Sequence, residues 1–312
     1  MAQQIVTPFA GGDAYADARS RCITLAEAWL GSGATSGVST WGDYHTLINA
    51  IFTAFSLPTI SDGNTGAQWR DKMNVLNDPE QVMASVALAW WSADRADLMT
   101  LVGSAVSSLR DIYHAYDVTQ AVSASRPAYS ATSFNGKPGL TFDGGDDKLS
   151  NASGSLLPIG ATPCEIWGVA DQTDPVANNV NRGLFTYGAS DGNRRRGIGR
   201  IGGGVTNRAR VVSGTGAVEG SLTMSSGDFS GRCLVRGRIT ATARFISQDD
   251  GAEDTSAGVP DTTATGGSTS IGSTVSASQF WKGQIRDILV TNALTGNQPT
   301  YITNLLKLRR AL

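Results

Sequence analysis

Cleavage of a glycosidic bond takes two carboxyl groups flanking one bond, about 5–5.5 or 6.5–9.5 Å apart. Alternate residues of a strand share a face, so carboxyls two or four positions apart on one strand would stand on one side of it. The five glutamates, Glu27, Glu80, Glu165, Glu219 and Glu253, are never so spaced, and no Glu-x-Asp occurs. An aspartate pair stays open, but the expectation is a protein that is not an enzyme. Two histidines, His45 and His114, lie far apart and carry no partner set for a Ser–His–Asp or metal site. Neither GxSxG nor a phosphate loop is present, and the run IGRIGGG from Ile198 to Gly204 reads as a turn. The segment FDGGDD places Asp143, Asp146 and Asp147 in an oxygen-rich turn. Calcium takes six to eight such oxygens on flexible loops. Alternatively Asp143 bonds backbone N–H groups while Gly144 and Gly145 supply positive φ. The second reading is preferred, so no cofactor or metal is expected, and these three aspartates are the weak calcium candidates.

Positive charge is concentrated at Arg194, Arg195, Arg196, Arg200, Arg208 and Arg210, in a chain with twenty arginines and five lysines. The guanidinium fork matches carboxylates and phosphates. This segment either holds an acidic polysaccharide, pairs with acidic loops of neighbouring copies, or is a solvated hairpin. Arg194, Arg195, Arg196 and Arg200 are the candidate glycan contacts. The acidic run Asp249, Asp250, Glu253 and Asp254 reads as a solvated loop. Trp90 and Trp91 are adjacent, so a strand points them to opposite faces. The outward ring packs on helices, meets a partner or stacks on sugar, in that order of preference.

Those residues belong to a chain of 312 residues, 40% hydrophobic and only 17% charged, with 37 glycines. A net charge of −2 argues against nucleic acid held by bulk charge. No apolar run reaches the ~18 residues of a membrane span. Cys22, Cys164 and Cys233 are odd in number and scattered, which is no disulfide framework. No secretory leader stands at the N-terminus, so synthesis and folding in a cytoplasm are expected. Helical stripes run through Ala14, Ala18, Cys22, Leu25 and Trp29, then Tyr44, Leu47, Ile48, Ile51, Phe52 and Phe55. Thr65 caps a third helix carrying Trp69, Met73 and Leu76. Beyond Val82, short apolar runs alternate with turn clusters: VALAWWSA, KPGLTFDG, CEIWGVAD, RGLFTYGA, RARVVSG, RCLVRGRI, ATARFISQ and QIRDILVTN. Several alternate by two, which implies one buried and one wet face. A last helix carries Ile302, Leu305, Leu306 and Leu308. The prediction is a mainly β chain, with a helical region over 1–80 and a sandwich with a C-terminal helix over 81–312.

ALAWWSADRADL, then DVTQAVSASRPAY and FDGGDDKL, resemble the opening of concanavalin-A-like, laminin-G-like jelly rolls in bacteriophage structural proteins. NRGLFTYG (residues 181–188) and WKGQIRDILVTNAL (residues 281–294) are similar to later strands of that family. SDGNTGAQWRDKMNVLND more weakly resembles helical linkers of phage fibres. The sequence departs from the family at LRDIYHAYDVTQA, which lacks a Ser-Gly-Asn turn, and in the Arg-rich stretch from Ser190 to Gly204. The resemblance implies a structural fibre or spike protein at the virion surface, on head or tail, made in a bacterial cytoplasm. Its sandwich faces a host-surface polysaccharide, in host attachment by carbohydrate binding. Its N-terminal region builds a homo-oligomer, a trimer first and a pentamer second, and docks on capsid or tail proteins. A purely structural decorating module and a capsule depolymerase are the alternatives. Neither nucleic acid nor membrane is an expected partner.

Overall fold

The computed structural model describes residues 4–13, 15–61, 64–151, 157–173, 180–189, 195–203, 206–214, 220–227, 229, 231–249, 251–257 and 267–311. Four helices come first: α1 (Tyr15–Leu30), α2 (Trp41–Ala54), α3 (Gly66–Leu76) and α4 (Pro79–Met83). Thr40 and Thr65 each close a capping box, with Asp43 and Gln68 three residues on, which satisfies orphan N–H groups at the helix start. Most of the predicted stripe residues are buried: Cys22, Leu25 and Trp29 on α1, Tyr44, Ile48, Ile51 and Phe52 on α2, Met73 and Leu76 on α3, while Ala18, Leu47 and Trp69 are half-buried and Ala14 lies outside the described residues. The last helix, α5 (Gln298–Ala311), buries Ile302, Leu305 and Leu306.

Two compact units result, and α5 is where they depart from expectation. Leu294–Arg309 groups with the helices before Ala87, not with the strands. Gln298 Nε2 donates to Ala54 O at 2.6 Å, Asn304 Nδ2 donates to Trp29 O at 2.9 Å, and Tyr301 meets Phe55 at 6.4 Å between ring centroids. The apolar stripe of α5 completes a helical core that the N-terminal helices lack by themselves.

Among the described residues the β unit contains seventeen strands. The first seven are β1 (Ala87–Ser92), β2 (Met99–Val102), β3 (Ala105–Leu109), β4 (Val118–Thr119), β5 (Ala128–Phe134), β6 (Lys137–Asp143) and β7 (Leu149–Asn151). Then come β8 (Cys164–Gln172), β9 (Arg182–Gly188), β10 (Arg195–Gly203), β11 (Thr206–Ser213) and β12 (Ser221–Thr223). Last are β13 (Gly231–Ile239), β14 (Ala243–Gln248), β15 (Asp254–Ala257), β16 (Ser268–Ile271) and β17 (Lys282–Asn292). Every pairing among the described residues is antiparallel. One layer runs from β1 and β6 through β17, β8, β13 and β14 to β15. The other runs β4, β7, β16, β9, β10, β11, β12, and β3 with β5 joins the two at one edge.

Between the layers lies one core, in which Cys164, Ile166, Ile198, Val211, Val235, Ile246, Ile288 and Val290 are buried. The layers approach closely at Gly237, where a Cβ would stand 2.6 Å from Ile198 Cγ2, and at Gly168, where one would stand 2.6 Å from Leu184 Cδ2. All eight expected strands are present. The expectation of one wet face fails for β8, however. Glu165 and Trp167 on the outer side of β8 are each 1% exposed, and Arg236 stacks on the Trp167 ring at 4.9 Å. The turn expected at Ile198–Gly204 is strand up to Gly203, because β10 pairs with β9 on one side and β11 on the other.

Candidate functional site

The outer side of β9 and β10 is covered by the segment Gly272–Trp281. Trp281 N closes it on Gly272 O at 2.7 Å, and Gly183 N donates to Gln279 O at 2.8 Å. Along this segment the hydroxyls form a row. Ser270 and Ser273 meet at 2.7 Å, Thr274 and Ser276 at 3.1 Å, and Ser276 and Ser278 at 3.0 Å. Two arginines reach it from the strands beneath: Arg195 Nη1 donates to Ser276 Oγ at 3.3 Å, and Arg210 Nη2 to Gln279 Oε1 at 2.7 Å. Ser276 and Ser278 are exposed, so the row offers hydroxyl donors and acceptors to solvent.

Next to it stands the acidic turn. Asp143 Oδ1 accepts from Gly145 N at 2.7 Å and Asp146 N at 3.4 Å, while Asp147 Oδ2 accepts from Asp143 N at 2.9 Å. Gly144 has φ +82°, in the left-handed region that favours glycine, whereas Gly145 does not. Ser125 Oγ donates to Asp146 Oδ2 at 2.5 Å. Arg182 Nη1 donates to Gly144 O at 2.9 Å and to Phe280 O at 2.8 Å, which ties the turn to the hydroxyl segment. The carboxylates of Asp143, Asp146 and Asp147 offer oxygens within 4.8 Å of one another, close enough to share a cation, although two of those oxygens already accept backbone N–H. Burial, aided by the neighbouring Asp143 and Asp146 charges and opposed by the Asp143 N–H, pushes the Asp147 carboxyl up to about 6. One carboxyl held near neutrality beside two others is an acid–base arrangement as well as a turn.

The arginines read from sequence as surface contacts are placed otherwise. Arg194 lies outside the described residues. Arg195, Arg196 and Arg200 are buried, at 4%, 5% and 0% exposure. Arg196 turns to the inner face, where Nη1 donates to Thr162 O at 2.7 Å and to Cys164 Sγ at 3.4 Å, and Nη2 bonds Gly160 O. Arg200 bonds Asn207 of the adjacent strand. Strand alternation therefore splits the group: Arg195 joins Arg210 on the outer side, and Arg196 and Arg200 point inward with Ile198. Of the three candidates among the described residues, only Arg195 reaches the hydroxyl row.

The second acidic run is not a free loop either. Glu253 bonds Arg238 at 2.5 Å, Asp254 accepts from Ser225 N at 2.7 Å, and Asp249 accepts from Leu234 N at 2.8 Å. Asp250 lies outside the described residues. Trp90 and Trp91 do face opposite ways: Trp91 lies in the core and Trp90 Nε1 donates to Asp287 at 3.0 Å. With Trp167 and Trp281 also buried, no tryptophan of the β unit presents a ring for sugar stacking. Missed from sequence was the segment 272–281. Its only signal was the run of serine and threonine, which composition alone reads as a loop.

No family model matches the chain, and no curated protein sequence matches it. Several solved structures are similar to it. An arabinofuranosidase complexed with arabinofuranosyl-α-1,2-xylobiose superposes with a TM-score of 0.50 at 13% identity over 71% of this chain and 63% of that one. The chain thus spans less than two thirds of that enzyme's length. The carbohydrate-binding domain of a Ruminococcus gnavus sialidase, bound to α2,3 sialyllactose, gives 0.39 at 9% identity over 53% of this chain and 95% of that one. The enzymatically active domain of tailspike protein 2 from bacteriophage CBA120 gives 0.42 at 12% identity over 58% and 29%. The likeness to the arabinofuranosidase, at 13% identity, is one of fold. The arabinofuranosidase overturns the expectation of a non-enzyme, because the same sandwich carries a hydrolase, and a missing Glu-x-Asp pattern no longer argues against catalysis. No helix among the described residues is long and apolar enough to cross a membrane.

Proposed function

We propose that the chain is a virion spike or fibre protein whose β unit recognises a glycan of the bacterial surface. The observation that carries this reading is the exposed hydroxyl row of Gly272–Trp281 with Arg195, Arg210 and Gln279. Ser and Gln side chains fixed by guanidinium groups offer directional bonds to sugar hydroxyls, which composition-blind hydrophobic contact does not. The phage-protein resemblance of FDGGDDKL and the closing strand supports a place of action at a virion surface. In this reading the helical unit assembles the homo-oligomer, a trimer, and holds it to capsid or tail. The test is a glycan array of bacterial surface polysaccharides probed with the full chain. Binding that Arg210→Ala weakens is the expected result. No binding to any glycan or host cell sinks the reading in favour of a purely structural module.

A second reading, glycoside cleavage, draws on the carboxyl of Asp147 raised to about 6 beside Asp143 and Asp146. A proton donor and an ionised partner are what hydrolysis of a glycosidic bond uses. Release of reducing ends from the bound polysaccharide, abolished by Asp147→Asn, is its test. Binding without release leaves recognition alone.

A further inference from the structure

Thr274, Ser276 and Ser278 close a triangle of hydroxyls. Its third side, from Thr274 to Ser278, is 3.3 Å, beside 3.1 and 3.0 Å for the other two. Two N–H groups donate into it: Arg195 Nη1 to Ser276 Oγ at 3.3 Å, and Ser278 N to Thr274 Oγ1 at 3.4 Å. A hydroxyl has one proton and two lone pairs. Among the described residues no carbonyl or carboxylate accepts from these three hydroxyls, so their protons have only one another. A three-membered ring bends each of those bonds, and bent bonds are weak. Gln279 is supplied from the same side. Arg210 Nη2 donates to its Oε1 at 2.7 Å, which fixes the oxygen arm of the amide and leaves the NH2 arm as the one to meet a ligand. Ser276 and Ser278 are exposed and Gln279 is half-buried, while Arg195 and Arg210 beneath them are buried. Guanidinium groups thus occupy acceptor positions of this surface from below and leave its O–H and N–H groups to solvent.

A surface of donors above two cations fits a group that only accepts, and a charged acceptor makes hydrogen bonds roughly twice as strong as a neutral one. We propose that Ser276, Ser278 and Gln279 take the oxyanion of an acidic sugar, a carboxylate or a sulfate ester. The inference rests on the glycan-binding reading and adds the chemical class of the glycan. The Ser276 and Ser278 hydroxyls turn their protons from the ring to the oxyanion, while the N–H groups of Arg195 and Ser278 go on filling lone pairs behind them. The hydroxyl of a neutral sugar, which donates as well as accepts, gains less here because acceptor positions are already taken. Arg182, bonded through Nη1 to Phe280 O and to Gly144 O, sets a guanidinium between this cluster and the carboxylates of the acidic turn.

The experiment measures, by calorimetry on the full chain, the binding of galacturonate, its methyl ester, galactose 6-sulfate, galactose and sodium acetate. Galacturonate or the sulfated sugar is expected to bind about ten- to hundredfold more tightly than galactose and the methyl ester, the range of a charged hydrogen bond, and more tightly than acetate. Which of the two acids binds better tells a carboxylate from a sulfate ester. Ser278→Ala removes one donor at an exposed position and no charge, and is expected to weaken the acid about three- to tenfold with the Tm unchanged. Gln279→Glu keeps an oxygen on Arg210 and puts a second oxygen where the NH2 arm stood, and is expected to abolish the preference for the acid over galactose. Acid affinity that neither variant changes overturns the inference, as does a chain that binds both acids no better than galactose. Acetate bound as tightly as the acidic sugar is an adventitious ion only and overturns it too. Array binding confined to neutral glycans overturns it while the glycan reading stands, and no binding to any glycan sinks that reading and the inference with it.

Discussion

Asp147 is the residue whose ionisation matters most to the acidic turn. Its carboxyl is raised to about 6 in the folded chain, against about 3.9 unfolded. The native state therefore binds the proton more tightly. Its contribution is fully present below about pH 4, where both states are protonated, and declines as pH rises through 6. Asp147→Asn should flatten the pH dependence of stability between pH 4 and 6, and gain on the order of 2 kcal/mol relative to wild type at pH 7. Urea titrations at several pH values measure this. If Asp147 donates a proton in cleavage, activity likewise falls as pH rises above 6. At the neighbouring Gly144 the demand is conformational: φ is +82°, and a Cβ would stand 2.7 Å from Lys282 Cβ. Gly144→Val should cost about 2–4 kcal/mol, through strain and crowding together. Thermal melts that leave it at wild-type stability would contradict the turn geometry.

Strand β10 is the element on which the sequence reading of the site turned. A solvated hairpin tolerates charge reversal, since exposed substitutions fall within about 0.5 kcal/mol. A paired central strand does not. Arg196→Glu puts a carboxylate against Thr162 O and Gly160 O at a buried position. A loss of about 3–5 kcal/mol is expected, the cost of breaking a buried charged contact. A variant that melts with the wild type would return the segment to the surface. Strand β13 makes a complementary demand, because at Gly237 the layers leave no room for a side chain. Gly237→Val should destabilise by about 1–3 kcal/mol through overpacking, measured by chemical denaturation.

For the whole molecule, the decisive contact is sequence-distant: α5 completes the helical unit through Ala54, Trp29 and Phe55. Deleting residues 1–80 alone strands the apolar stripe of Ile302, Leu305 and Leu306. That deletion should yield an aggregation-prone chain, for exposed contiguous apolar surface associates. A fragment of residues 87–293 keeps the complete sandwich core and is expected to be a folded monomer. Light scattering of the two fragments and the full chain checks both the boundary and the assembly role of the helices. An oligomeric 87–293 fragment would move the assembly surface to the β unit.

Local pattern was enough for the element types. Helical stripes such as Leu25–Trp29 and Ile48–Phe52, the Thr40 and Thr65 starts, and the eight apolar strands follow from periodicity and capping, which act within one or two turns of chain. The FDGGDD turn was legible for the same reason, since Asp143 bonds groups two and three residues on. Tertiary structure alone decided which side of a strand meets what. Arg195 and Arg196 are neighbours in sequence, yet one reaches the hydroxyl row and the other the core, because pairing with β9 and β11 sets the pleat of a strand too rich in glycine to declare itself. It also decided that Ser276, Arg210 and Arg182 share a surface, and that Arg244 crosses the layers to Ser213. These meetings join residues tens of positions apart, and only the register of paired strands, set by burial of the whole core, brings them together.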